Sequence, residues 1–86
     1  MTLHRGNIIG ERVRKARLSA KPAVTQEQLA ARLQVAGFDY IDQAKISRIE
    51  SGERPVQDYE LLALSKALGV TSGWLLNEDK PEAVSG

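Results

Sequence analysis

The stretch Gln43-Ala44-Lys45-Ile46-Ser47-Arg48-Ile49-Glu50-Ser51-Gly52 decides how this chain is read. Wound as a helix, it turns Ile46 and Ile49 to one face. Ala44, Ser47, Arg48 and Ser51 fall on the opposite face, with Gln43 and Lys45 on the flanks. The outward set offers a long cation, amides and hydroxyls, with no carboxylate at its centre. Phosphate oxygens and base edges are the natural acceptors for such a surface, so the chemistry is that of a helix lying against DNA.

Working outward, periodicity and punctuation predict four more helices. The first spans about Ile8 to Ala20, with Asn7 as N-cap and Ile9, Val13, Ala16 and Ala20 as its apolar stripe. Lys21-Pro22-Ala23 ends it. The second opens at Thr25-Gln26-Glu27-Gln28, a capping box in which the hydroxyl accepts from the Gln28 backbone and the Gln28 side chain reaches back. Leu29, Leu33 and Ala36 line its inner face, and Gly37 stands where a helix leaves through a left-handed residue. Phe38 and Tyr40 in the following connector read as packing anchors. Asp42 caps the third helix and Gly52 ends it. The fourth runs from about Gln57 to Leu68, with Leu61, Leu64 and Leu68 inward and Gly69 as its stop. A short turn capped by Ser72 carries Trp74, Leu75 and Leu76, which either close the core or form a dimer seam. Nothing reads as a strand. The expected fold class is therefore all-α, a compact bundle with short connections.

Composition narrows the function. The chain has 86 residues, enough for one domain, and no cysteine. Disulfides and thiolate metal sites are thereby excluded. The sole histidine, His4, has no carboxylate set around it, so no metal and no cofactor is expected. No apolar run approaches a membrane span or the core of a secretion signal, and the expected setting is cytoplasmic. Net charge is only +1, but residues 1–21 hold six Lys/Arg against Glu11 alone, while the remainder holds six against ten carboxylates. That asymmetry describes either a basic face with an acidic back or an ordinary solvated helix surface. The expected domain covers residues 1–76, with a loose tail at 77–86.

At this point three fragments, taken in order, resemble a known family. They are Thr25-Gln26-x-x-Leu29-Ala30, then Ile46-Ser47-Arg48-Ile49-Glu50-Ser51-Gly52, then Leu61-Leu62-x-Leu64-x-x-Ala67-Leu68-Gly69-Val70. Together with Ile9-Gly10-Glu11-Arg12-Val13-Arg14 and Trp74-Leu75-Leu76, they are similar to the Cro/repressor-type (XRE) helix-turn-helix regulators. The resemblance implies a five-helix lambda-repressor-like bundle in which helix three enters the major groove and helix two crosses the backbone. Carried over position by position, it implies base contacts from Gln43, Ala44 and Arg48, with Ser47 beside them on the same face. It implies phosphate contacts from Gln26, Ser51 and the Arg54 loop. Thr25 and Lys45 join that phosphate set as neighbouring donors, and Arg54 has Glu53 or Glu50 as alternative partners. Arg17 and Glu50 each lie beside the apolar stripe of their own helix. Each needs a partner there, and an ion pair between helices one and three is expected, as the family likeness also implies.

One departure stands out. Gln34-Val35-Ala36-Gly37-Phe38-Asp39-Tyr40 occupies a place where the family usually has one residue between helices two and three. The insertion either extends helix two by a turn or brings Asp39 or Tyr40 toward DNA.

The function expected from these readings is a sequence-specific, double-stranded DNA-binding transcriptional regulator, a repressor working as a homodimer on an inverted repeat, of bacterial, archaeal or phage origin. The rival is an antitoxin or adaptor that uses the same bundle against a protein partner. An enzyme is not expected, because no nucleophile–base pair, paired carboxylates or phosphate-binding glycine loop occurs; neither a small-molecule substrate nor a membrane is expected as partner.

Overall fold

The computed structural model describes residues 6–78. His4 and most of the expected tail lie outside them. All regular structure among the described residues is helical: α1 (Gly10–Ser19), α2 (Gln26–Val35), α3 (Gln43–Glu50), α4 (Asp58–Leu68) and α5 (Ser72–Leu75). α3 packs against α1 and α2, α4 packs across α1 and α2, and α5 closes the end formed by α1 and α4.

The core is the sum of the apolar stripes. Val13 of α1, Leu29 and Leu33 of α2, Ile46 and Ile49 of α3, Leu64 of α4, Leu75 of α5 and Ile41 before α3 are all but fully buried. Each such aliphatic side chain contributes roughly 1.5–3 kcal/mol by leaving water. Leu61 and Leu68 are only partly buried and pack against the rim of this cluster. Ala36, expected on the inner face of α2, is exposed, because the helix ends at Val35 before the stripe reaches it.

Two helix starts differ from the sequence reading. α1 begins at Gly10 with Ile9 in the cap position, not Asn7. Asn7 does accept the Ile9 N–H at 2.9 Å, but its side-chain amide is spent elsewhere: Nδ2 donates to the carbonyls of Ile49 at 3.1 Å and Arg54 at 2.8 Å. The Gly6 N–H also donates to the Gly52 carbonyl at 2.9 Å. The chain before α1 thus satisfies carbonyls at the end of α3 that a helix leaves unpaired. In α5, Thr71 is the cap and accepts the Trp74 N–H at 2.9 Å, while Ser72 is the first helical residue.

The lengthened connector is a defined structure. α2 stops by a Schellman motif: Phe38 N–H bonds to Leu33 O at 2.8 Å and Gly37 N–H to Gln34 O at 3.0 Å. Gly37 has φ 98°, a conformation that side chains with a Cβ resist. Phe38 then tucks back, half-buried, with its ring 6.1 Å from that of Tyr40 and stacked 6.3 Å from that of Tyr59 on α4. Phe38 is a packing anchor, as expected; Tyr40 touches it but stays 43% exposed. α3 ends by the same device: Glu53 N–H donates to Arg48 O at 2.9 Å and Gly52 N–H to Ile49 O at 3.0 Å.

Candidate nucleic-acid interface

α3 starts where Asp42 caps it, its Oδ1 accepting the Lys45 N–H at 3.0 Å. With Ile46 and Ile49 committed to the core, the helix has no freedom to rotate, and Gln43, Ala44, Ser47 and Arg48 are all exposed. Neither the aromatic connector nor any other described element covers them. The Arg48 guanidinium and the Gln43 amide make no hydrogen bond or ion pair within the described residues, so their donors remain directed to solvent. Ser51 lies at the C-cap, and its hydroxyl donates to Arg48 O at 3.0 Å.

α2 approaches the same surface with its N-terminus. Thr25 Oγ1 accepts the Gln28 N–H at 3.0 Å, and Gln28 Oε1 accepts the Thr25 N–H at 2.9 Å, completing the capping box. Gln26 follows at the first helical position, where unpaired N–H groups and the helix dipole favour an anion. A surface cleft of about 310 Å³ is lined by Thr25, Gln26 and Gln43 among others, so the start of α2 and the start of α3 share one depression.

Beneath it lies the ion pair. Arg17 Nε donates to Glu50 Oε2 at 2.7 Å and Nη2 donates to Oε1 at 3.0 Å, while Nη1 donates to Val24 O at 3.0 Å. The hydrogen bonding to Glu50 holds the guanidinium's pKa above its ordinary value, against the opposing effect of burial. Gln26 Nε2 also donates to Glu50 Oε1, at 3.1 Å. One carboxylate of α3 therefore fixes α1 and the first side chain of α2.

Lys45 and Arg54, also read as phosphate donors, are engaged internally, as Gln26 and Ser51 are. Lys45 Nζ donates to the Tyr40 carbonyl at 2.8 Å. Arg54 pairs with neither Glu53 nor Glu50. Its Nη1 lies 3.1 Å from Oε1 of Glu60, a residue of α4 that is 2% exposed. Tyr40 Oη donates to the other Glu60 oxygen at 2.6 Å, and the Gln57 N–H donates to Oε1 at 3.0 Å. Burial pushes the Glu60 carboxyl up, but the bonds from Arg54, Tyr40 and Gln57 outweigh it and hold its pKa below the usual range. The same contact pushes the Tyr40 hydroxyl up to about 12. Sequence reasoning passed over Glu60. The available signal was its register: it precedes Leu64 by four residues and Leu68 by eight, so it sits on an inward stripe, where a carboxylate needs partners.

Elsewhere on the surface, the Arg12 guanidinium lies 4.3 Å over the Trp74 ring and also donates to the Asn77 side chain. Trp74 is partly buried, with Leu75 beside it in the core. No group of side chains able to hold a metal ion occurs among the described residues. No helix among them is long and apolar enough to cross a membrane.

Two helices meeting through a capped turn, the second with a bare polar face, define a helix-turn-helix. Comparison with known proteins agrees: residues 8–77 match the family profile described as a helix-turn-helix domain. The chain belongs to that family and is a DNA-binding regulator of the Cro/repressor type. Among solved structures it is similar to the P22 c2 repressor protein, crystallised in complex with a synthetic operator. The identity is 32% and the TM-score 0.66, over 85% of this chain and 98% of the repressor chain. A search of curated proteins returned no significant match.

Proposed function

We propose that this protein is a sequence-specific repressor that inserts α3 into the major groove of double-stranded DNA, acting as a symmetric dimer on an inverted repeat. The observation that carries the reading is the bare outward face of α3, whose inward residues Ile46 and Ile49 are fully buried. The likeness to a repressor solved on its operator supports it.

In this reading Arg48 binds guanine O6 and N7, Gln43 binds adenine N6 and N7, Ala44 meets a thymine methyl, and Ser47 bonds an adjacent base edge. Thr25 and Gln26 set the N-terminus of α2 on a phosphate, and Ser51 and Lys45 hold the strand on either side. Arg54, already paired to Glu60, contributes to the phosphate contact only through donors that the carboxylate leaves over. One α3 reads a few base pairs. Two, placed about 34–36 Å apart by a two-fold axis, read a palindrome on one side of the duplex. Repression follows from occupying promoter DNA, in the cytoplasm, with neither cofactor nor catalysis.

Selection from a random duplex pool tests the proposal. The expected product is an enriched palindrome with half-sites one helical turn apart. A pool that stays random, while the protein instead co-purifies tightly with another protein, would reject it in favour of an adaptor or antitoxin role without DNA.

A further inference from the structure

We propose that Glu60 is a positioning residue for base recognition, a clamp that holds both ends of α3; the inference rests on the DNA-reading role assigned above. The carboxylate lies on α4, outside the helix-turn-helix pair, and is 2% exposed. It receives Tyr40 Oη at 2.6 Å from the turn that leads into α3. It receives Arg54 Nη1 at 3.1 Å, with Nη2 at 3.4 Å, from the loop that leaves α3. It also receives the Gln57 N–H at 3.0 Å from its own helix start.

Each arm reaches the recognition helix through the backbone. Tyr40 stands two residues before the Asp42 cap, and its carbonyl accepts Lys45 Nζ at 2.8 Å. Arg54 N–H donates to Arg48 O at 3.2 Å, and the Arg54 carbonyl accepts Asn7 Nδ2 at 2.8 Å. A displacement of Glu60 is therefore felt at Lys45 on one side and at Arg48 on the other. The lengthened connector gains a purpose here: its extra residues carry Tyr40 to α4.

The two kinds of DNA contact respond differently to such a loosening. Paired hydrogen bonds to a base need side chains held to within about 0.5 Å. Attraction to phosphates tolerates displacement and depends on how many cations are free. Glu60 serves the first and limits the second, because it neutralises Arg54. Losing its charge lowers discrimination and releases a cation to the backbone.

The experiment compares wild type, Glu60→Gln and Tyr40→Phe on two duplexes, the selected site and a scrambled one, across a salt series, with thermal melting in parallel. For Glu60→Gln the ratio of affinities falls at least tenfold. The salt slope on the scrambled duplex steepens by about 0.9, the increment for one added phosphate contact. For Tyr40→Phe the ratio falls less and the slope holds, since Arg54 stays paired. Equal weakening on both duplexes, an unchanged ratio, or an unchanged slope for Glu60→Gln would overturn the clamp. If Glu60→Gln does not fold, Tyr40→Phe decides: a lowered ratio supports the clamp and an unchanged one overturns it. Wild-type protein that prefers no duplex overturns the DNA-reading role itself and takes the clamp with it.

Discussion

Arg17 and Glu50 form a two-pronged ion pair between α1 and α3, at 2.7 and 3.0 Å, with side chains 10% and 5% exposed. A pair this buried fixes orientation more than it adds net stability, because desolvation offsets much of the attraction. Removing one partner is different, since it strands the other charge. Glu50→Ala is expected to destabilise by about 3–5 kcal/mol, lowering Tm by more than about 10 °C. Denaturant unfolding checks this; a variant as stable as wild type rules out the pair as an organiser of the bundle.

Gln26 shares Glu50 with Arg17, so its side chain is already oriented before any ligand arrives. Arg48 has no such tether. The proposed roles separate accordingly. Arg48→Ala should cost about 1–3 kcal/mol at one base position per half-site and little elsewhere. Gln26→Ala should weaken every sequence by a similar factor. Affinities for a set of singly substituted operators distinguish the two; uniform losses for both variants would deny Arg48 a base contact.

The helices and their order were legible in the sequence because the apolar stripes, the Thr25 and Asp42 caps and the glycine stops agree with one another at every level. The outward set of α3 was legible for the same reason: once Ile46 and Ile49 are inward, geometry fixes the rest. The partners of long polar side chains were not. Asn7 looks like a cap from its neighbours, yet its amide crosses to α3, a contact no local pattern encodes. Arg54 reads as a phosphate donor or a partner of Glu53 or Glu50, because its partner lies six residues on, around a bend. Short-range rules say which groups need satisfying; only the packing of helices says which group satisfies them.

The Tyr40–Glu60 contact predicts an alkaline transition. The folded state holds the Tyr40 proton up to about 12, whereas an unfolded tyrosine releases it near about 10. Between those values the unfolded chain binds fewer protons, so stability falls as pH rises. Below about 10 the contribution is fully present. Tyr40→Phe lacks this linkage. Denaturant midpoints of wild type and variant, measured from pH 9 to 12, should converge as pH rises; curves that stay parallel would mean that the hydroxyl proton is not held. Glu60 works at the other end of the scale, with its lowered pKa giving stability that is lost as pH falls below the ordinary glutamate range.

Gly10 supplies a last test, on packing alone. In the interior of an exposed helix, glycine to alanine gains about 1 kcal/mol. Gly10 is buried in the first turn of α1, pressed against the end of α3. A Cβ there would meet the Ile49 carbonyl oxygen and stand 2.7 Å from that of Glu50, and both are backbone atoms of a capped helix end. Neither can step aside without moving α3. Gly10→Ala is therefore expected to reverse the usual sign and destabilise by about 1–3 kcal/mol. Because the displaced element is the one proposed to read DNA, operator affinity should fall beyond what the unfolded fraction explains. Stability raised by the added methyl would show that α1 does not approach α3 this closely.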